Sequence, residues 1–150
     1  MAKEYQSSCV IRQATLDDLP AFLDDLLDVC VQEHVRAGLN PALSVAADMT
    51  TYDTQLALSP DGKPMVLYGL NDEGRMWMQM TNEVTKHPRA FVRTALDWIK
   101  KKQPKFLYNF IDIQNTTLLK FFKKLGCKFI GIKPRTMNNI FYVEVVRVWS

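Results

Sequence analysis

Two turn sequences, Ser59-Pro60-Asp61-Gly62 and Asn71-Asp72-Glu73-Gly74, constrain this chain more than any other feature. In each, proline or aspartate sets the entry and glycine accepts the positive φ at the exit. The runs they separate, 52–58, 65–70 and 75–81, have strand character, so the middle of the chain is expected to form an antiparallel three-stranded meander. In the third run Met76, Met78 and Met80 alternate with Trp77 and Gln79, which gives the strand two different faces. The methionine face reads as core.

Periodicity on either side of the meander is helical. Residues 9–14 read as a short strand, and Thr15 is an N-cap before the acidic Asp17 and Asp18. Leu19, Phe22, Leu23, Leu26, Leu27, Cys30 and Val31 then recur at three- and four-residue spacing, which predicts one helix, with Gly38 ending it or a short extension of it. A weaker pattern over 41–49 predicts a second short helix. Downstream, Pro88 opens a helix whose stripe is Phe91, Val92, Ala95, Leu96 and Ile99, and Gln103-Pro104 stops it. Residues 105–113 read as a buried strand, and Asn115 or Thr116 starts a helix that Gly126 terminates. Residues 127–132 and 140–148 form a last strand pair across a loop holding Pro134, Arg135 and the turn Asn138-Asn139. The expected class is α/β (α+β). A central, mixed, mostly antiparallel sheet of about six to seven strands is flanked by three to four helices, in one domain over 1–150.

At 150 residues and 47% hydrophobic content the chain can bury a core of its own. It has no apolar run of membrane-spanning length and no apolar signal-peptide core, so a soluble intracellular protein is expected. Three widely spaced cysteines fit neither a disulfide framework nor a paired zinc site, and His34 and His87 lie too far apart in sequence to suggest a metal cluster. Charge is distributed unevenly. Residues 1–85 carry 5 Lys or Arg against 13 Asp or Glu, whereas 86–150 carry 14 against 3. That polarity suits steering of an anionic ligand, nucleic acid or an acidic partner to the second half, or simply complementarity between the halves.

The segment Val10-Ile11-Arg12-Gln13-Ala14-Thr15-Leu16-Asp17-Asp18-Leu19 resembles the first strand and helix start of the GNAT (N-acetyltransferase) superfamily. The stretch from Asn115-Thr116-Thr117 through Phe121-Phe122-Lys123-Lys124-Leu125-Gly126 to Phe129 is similar to that family's late motif, and the element order agrees along most of the chain. Within the superfamily, the texture of 75–81, the basic helix after it and the aromatic strand before Asn115 most resemble acyltransferase-like internal virion proteins of short-tailed, podovirus-type phages. The resemblance implies an acetyl-CoA site between two splayed central strands, with the diphosphate on a glycine-rich turn at a helix N-terminus.

The matching turn here, 81–89, contains no glycine, includes Pro88 without an N–H, and places the acidic Glu83 where an anion would sit. If a coenzyme binds, the resemblance assigns it to Met80, Thr81, Lys86, His87, Arg89, Asn115 and Phe122. Phe122 occupies the position where many of these enzymes carry a proton-donating tyrosine, so Tyr108 or Tyr142 would have to replace it. Asn115 matches a polar cofactor-contacting position and equally suits a helix cap. Glu83, Asp112 and Glu144 are the carboxylates on or beside central strands, and Asp112 inside an apolar strand requires a partner or a raised pKa.

Asn115, Tyr108 and Glu83 are therefore the candidate catalytic residues. Three functions compete: a catalytically degenerate accessory protein of virion assembly that needs no cofactor, an acetyl-CoA-dependent N-acetyltransferase, and a nucleic-acid-binding protein. The partners implied are phage or host proteins of acidic character, in the host cytoplasm or the virion.

Overall fold

Gly62 and Gly74 adopt the expected positive φ, +81° and +94°, and between them the chain folds back on itself twice. The computed structural model describes residues 9–135 and 140–149. Strands β1 (Val10–Gln13), β2 (Asp53–Leu58), β3 (Pro64–Leu70) and β4 (Met76–Met80) form one antiparallel sheet in the order β1-β2-β3-β4. A second antiparallel sheet has the order β5-β7-β6, from β5 (Phe106–Asp112), β6 (Lys128–Arg135) and β7 (Ile140–Val148). The expected single sheet is thus present as seven strands in two parts. Between the parts, an isolated parallel bridge joins Arg75 to Tyr108, with the Tyr108 N–H donating to the Gly74 carbonyl at 2.9 Å.

Five helices connect these strands: α1 (Leu19–Asp24), α2 (Asp28–Arg36), α3 (Pro41–Thr51), α4 (Pro88–Lys102) and α5 (Thr116–Lys124). The single helix predicted after Thr15 is broken. A 3₁₀ turn over Leu16–Asp18 leads into α1, and residues 25–27 leave the helical path before α2 begins. The cause is tertiary: the Asp25 and Leu26 N–H groups still close the last turn of α1 onto Phe22 and Leu23, but the Leu27 N–H and the Asp25 carbonyl bond to the end of β4. Helix α3 runs two residues past its expected end and starts on Asn40, whose side chain accepts from the Leu43 N–H at 3.1 Å. Pro134 and Arg135, expected in a loop, extend β6; the Asn138-Asn139 turn lies outside the described residues.

Both faces of β4 are buried, with Met76, Met78 and Met80 at 1% exposure or less and Trp77 at 4%. Helices α4 and α5 hold to the first sheet through aromatic edges. Tyr68 of β3 meets Trp98 at 4.9 Å and Phe91 at 5.9 Å between centroids, and Phe91 meets Phe121 at 5.5 Å. Each such contact adds about 0.5–1.5 kcal/mol to the burial of the rings. Cys9, Cys30 and Cys127 are free thiols.

Candidate functional site

Strands β4 and β5 touch at the Arg75–Tyr108 bridge and, among the described residues, make no further ladder pairing toward Met80 and Asp112. Two diverging strands leave backbone groups that need partners. The break between α1 and α2 supplies them. Leu26 bridges Thr81, the Leu27 N–H donates to the Met80 carbonyl at 2.9 Å, and the Asn82 N–H donates to the Asp25 carbonyl at 3.0 Å. The Asn82 side chain adds bonds to the Asp25 carbonyl and carboxylate, at 3.2 and 3.0 Å. Burial pushes the Cys30 thiol up to about 12, against a smaller opposing effect of the Met80 N–H.

After β4, residues 82–85 wind into a 3₁₀ turn. The N–H of Thr81 donates to Met65, that of Val84 to Thr81, that of Lys86 to Glu83 and that of His87 to Val84, all at 2.9–3.2 Å. The Glu83 N–H donates to the Thr81 hydroxyl at 3.2 Å. A diphosphate held in the manner of a glycine-rich loop requires several peptide donors aimed at one point. Here the N–H groups of Thr81, Asn82, Glu83, Val84, Lys86 and His87 are bonded within the protein and Pro88 has none, so this turn does not supply that cradle.

Helix α2 places a polar row against the ends of β4 and β5. Arg36 donates from Nε and Nη2 to one oxygen of the fully buried Asp112, at 2.9 and 2.7 Å. The other Asp112 oxygen accepts from the Gln114 N–H at 2.8 Å. Asp112 therefore has the ionic partner its position requires, and it also caps the turn that follows. Asn115 is both cap and linker, since its Oδ1 accepts from the Leu118 N–H at 3.1 Å while its Nδ2 donates to Glu33 at 2.9 Å. Glu33 also accepts from the Asp112 N–H at 3.3 Å. Burial pushes the Glu33 carboxyl above its ordinary value, with Asp112 adding to the rise, against the hydrogen bonds from Asn115 and the Asp112 N–H and the pull of His34. Beside it, His34 Nε2 lies 2.9 Å from the Gln79 amide oxygen.

Glu33 and Arg36 were not singled out from sequence. Their only signal was two charges three residues apart on a helix, which ordinarily marks a solvated face.

The other predicted residues are dispersed. Tyr108 is half-buried between Phe106 and Phe110 on the outer face of β5, stacked on Phe106 at 5.9 Å and edge-on to Phe110 at 6.2 Å between centroids. Phe122 is fully buried in the core, and Arg89 is exposed at the start of α4. Glu83 is 3% exposed and lies beside Lys86 Nζ at 3.3 Å. Burial works to raise its pKa, but the Ser59 hydroxyl, Lys86 and Lys63 prevail and hold it below the ordinary value. Among the described residues no hydrogen bond joins Tyr108 or Glu83 to Asn115, so the three candidate catalytic residues are not linked into one constellation. Glu144 pairs with Lys133 at 3.1 Å.

No family model and no curated protein sequence matches the chain. Solved structures do. A GCN5-related N-acetyltransferase from Kribbella flavida is 18% identical, with a TM-score of 0.66 over 95% of this chain and 98% of that one. A GNAT-family acetyltransferase from Bacillus anthracis is 11% identical, with a TM-score of 0.67 over 94% and 95%. The fold is the GNAT fold. A mutant of spermidine N-acetyltransferase SpeG from Vibrio cholerae aligns with it as fully, at 10% identity and a TM-score of 0.62 over 95% and 94%. Where β4 and β5 diverge, Asp25 and Leu27 bond the end of β4. The likeness to phage virion proteins rests on sequence texture alone. No described helix is long and apolar enough to cross a membrane.

Proposed function

We propose that this chain is a GNAT-fold protein that acts through protein contact and not by acyl transfer, with an acidic protein as its partner. The observation that carries this reading is the closure of β4, where the Met80 carbonyl and the N–H groups of Thr81, Asn82, Glu83, Val84, Lys86 and His87 are bonded within the protein. A contact role also has a surface to use. On the outer face of the second sheet Phe106 and Phe110 are 43% and 36% exposed, Val148 is 72% exposed, and Tyr108 lies between the two phenylalanines. Exposed apolar groups grouped in this way mark interaction sites. Lys105 and Lys128 are exposed at the borders of the same sheet. Lys133, however, is paired with Glu144, and Asp72, Glu73 and Glu144 line the groove beside Phe106 and Tyr108, so the acidic character of the partner rests on the basic excess of residues 86–150.

Calorimetric titration with acetyl-CoA is the direct test. The expected result is no saturable binding, with a Kd weaker than about 1 mM. A micromolar Kd together with acetylation of a defined amine overturns the proposal.

That outcome would instead support the second reading, an acetyl-CoA-dependent N-acetyltransferase with Lys86 and Arg89 at the diphosphate. One observation favours it: a groove of about 170 Å³ beside the start of α4, lined by Val84, Thr85, Pro88, Thr117, Lys120, Phe121 and Lys124, puts two lysines near that turn. The finer context, phage particle assembly, predicts recovery of the chain from purified virions at fixed stoichiometry by mass spectrometry. Its absence from particles removes that part of the reading. Nucleic acid as partner predicts retention on DNA at low salt with a steep salt dependence.

A further inference from the structure

The turn between β2 and β3 and the turn before α4 bring three potential ligands together from distant parts of the sequence. Asp61, Glu83 and His87 each present one ligating atom, and these atoms all lie within 4.8 Å of one another. His87 Nε2 is 3.3 Å from an Asp61 oxygen and 3.6 Å from Glu83 Oε2. We propose that Asp61, Glu83 and His87 form a binding site for a divalent transition-metal cation of the zinc class.

The strongest argument is an oxygen without a partner. Glu83 is only 3% exposed, and although Lys86 and the Ser59 hydroxyl act on its carboxylate, its buried Oε2 has no partner at hydrogen-bond distance. A buried carboxylate oxygen left in that state is costly. His87 cannot relieve it, because Nε2 carries at most one hydrogen whether the ring is neutral or charged, and Asp61 stands at the shorter distance. Two carboxylate oxygens thus converge on one nitrogen that can serve only one of them. A cation reverses this geometry, since it takes a lone pair from each of the three atoms at once.

Spacing agrees with a particular class of ion. Zinc bound at about 2.0–2.1 Å in a tetrahedron puts its ligands about 3.4 Å apart, close to both His87 distances. The third separation closes by movement of Asp61, which is 62% exposed on its turn. One imidazole and two carboxylates favour zinc, manganese or iron(II) over magnesium and calcium, which prefer all-oxygen sites. The partial exposure of His87 and Asp61 leaves a fourth position for water or an anion. Two lysines oppose the ion. Lys86 Nζ sits 3.3 Å from Glu83 Oε1 and Lys63 acts on the same carboxylate. Lys86 is 62% exposed and free to swing away, so with three protein ligands the affinity expected is micromolar.

The test uses the full chain titrated with zinc chloride by calorimetry and with cobalt(II) by visible absorption. Wild-type protein is expected to bind one equivalent, with cobalt d–d bands and no sulfur-to-cobalt charge transfer. His87→Gln and Glu83→Gln should each weaken binding at least tenfold while leaving the far-UV circular dichroism unchanged. If a variant misfolds, protection of wild-type His87 from diethyl pyrocarbonate by zinc gives the same reading without a substitution. Absence of saturable binding, undiminished binding by a well-folded His87→Gln, or a thiolate charge-transfer band from a free cysteine would each overturn the site.

Discussion

Arg36 and Asp112 show how one side chain can decide whether another is tolerable. The carboxylate is fully buried and held by two hydrogen bonds from the guanidinium. Breaking such a pair from one side leaves an uncompensated charge. Arg36→Met is therefore expected to cost about 3 kcal/mol in urea unfolding, and adding Asp112→Asn should recover part of the loss. Equal midpoints for Arg36→Met and wild type would show that Asp112 does not depend on this partner.

Glu33 makes a prediction of a different kind. Its carboxyl is raised above the ordinary 4.5 by burial, so the folded state holds this proton to higher pH than the unfolded state does. The Glu33 contribution is accordingly most favourable below the unfolded value. It declines as pH rises toward the raised folded value and stays low above it. Stability measured across that window should fall in wild type relative to Glu33→Gln, and parallel curves would refute the assignment. At this scale the sequence marked Asp112 as needing a partner and Asn115 as a cap. It could not show Arg36 or Glu33, because the distances that matter span 76 and 82 residues.

Among the elements, α4 was legible to the residue because Pro88, an apolar stripe and Gln103-Pro104 all agree locally. Helix α1 was not. Phe22, Leu23, Leu26 and Leu27 keep helical spacing straight through a break imposed by the Met80 carbonyl and the Asn82 N–H, and periodicity carries no sign of a bond from another strand. The same break supplies a test. Leu27 has φ −60° and ψ 136°, a conformation proline adopts readily. Leu27→Pro removes the N–H that closes β4, and Leu27→Ala trims the side chain but keeps that donor. The proline variant should be less stable than the alanine variant by about 1–3 kcal/mol, and its Asn82 amide, which bonds the Asp25 carbonyl across the same edge, should exchange faster with deuterium. If the two variants match, the bond does not secure the strand edge.

For the whole molecule, the turn sequences and the strand count were readable from the residues, whereas the parting of the two central strands entered only through the family resemblance, which implied that they splay. Nothing at Gly74 or Tyr108 announces that β4 and β5 meet through so few backbone bonds. The boundary between acidic and basic sequence falls at nearly the same place, just after β4, and contacts such as Arg36–Asp112 and Asp53–Lys102, the latter at 3.8 Å, cross from one half to the other. Gly74 leaves no room at this boundary. A Cβ there would lie 2.6 Å from the Phe106 carbonyl, whereas one on Gly62 would meet nothing within 4 Å, and both residues have positive φ. Gly62→Ala should cost about 1–2 kcal/mol from backbone strain alone. Gly74→Ala should cost more in the same urea titration, and similar losses would mean that the sheets adjust freely.

A joint one peptide wide has a mechanical consequence. The angle at which the sheets gape is set less by backbone pairing than by whatever lies between their far ends, where Arg36, Glu33 and Asn115 act as a clasp. Loosening that clasp would let the two sheets swing apart like covers on a spine, with Gly74 at the binding.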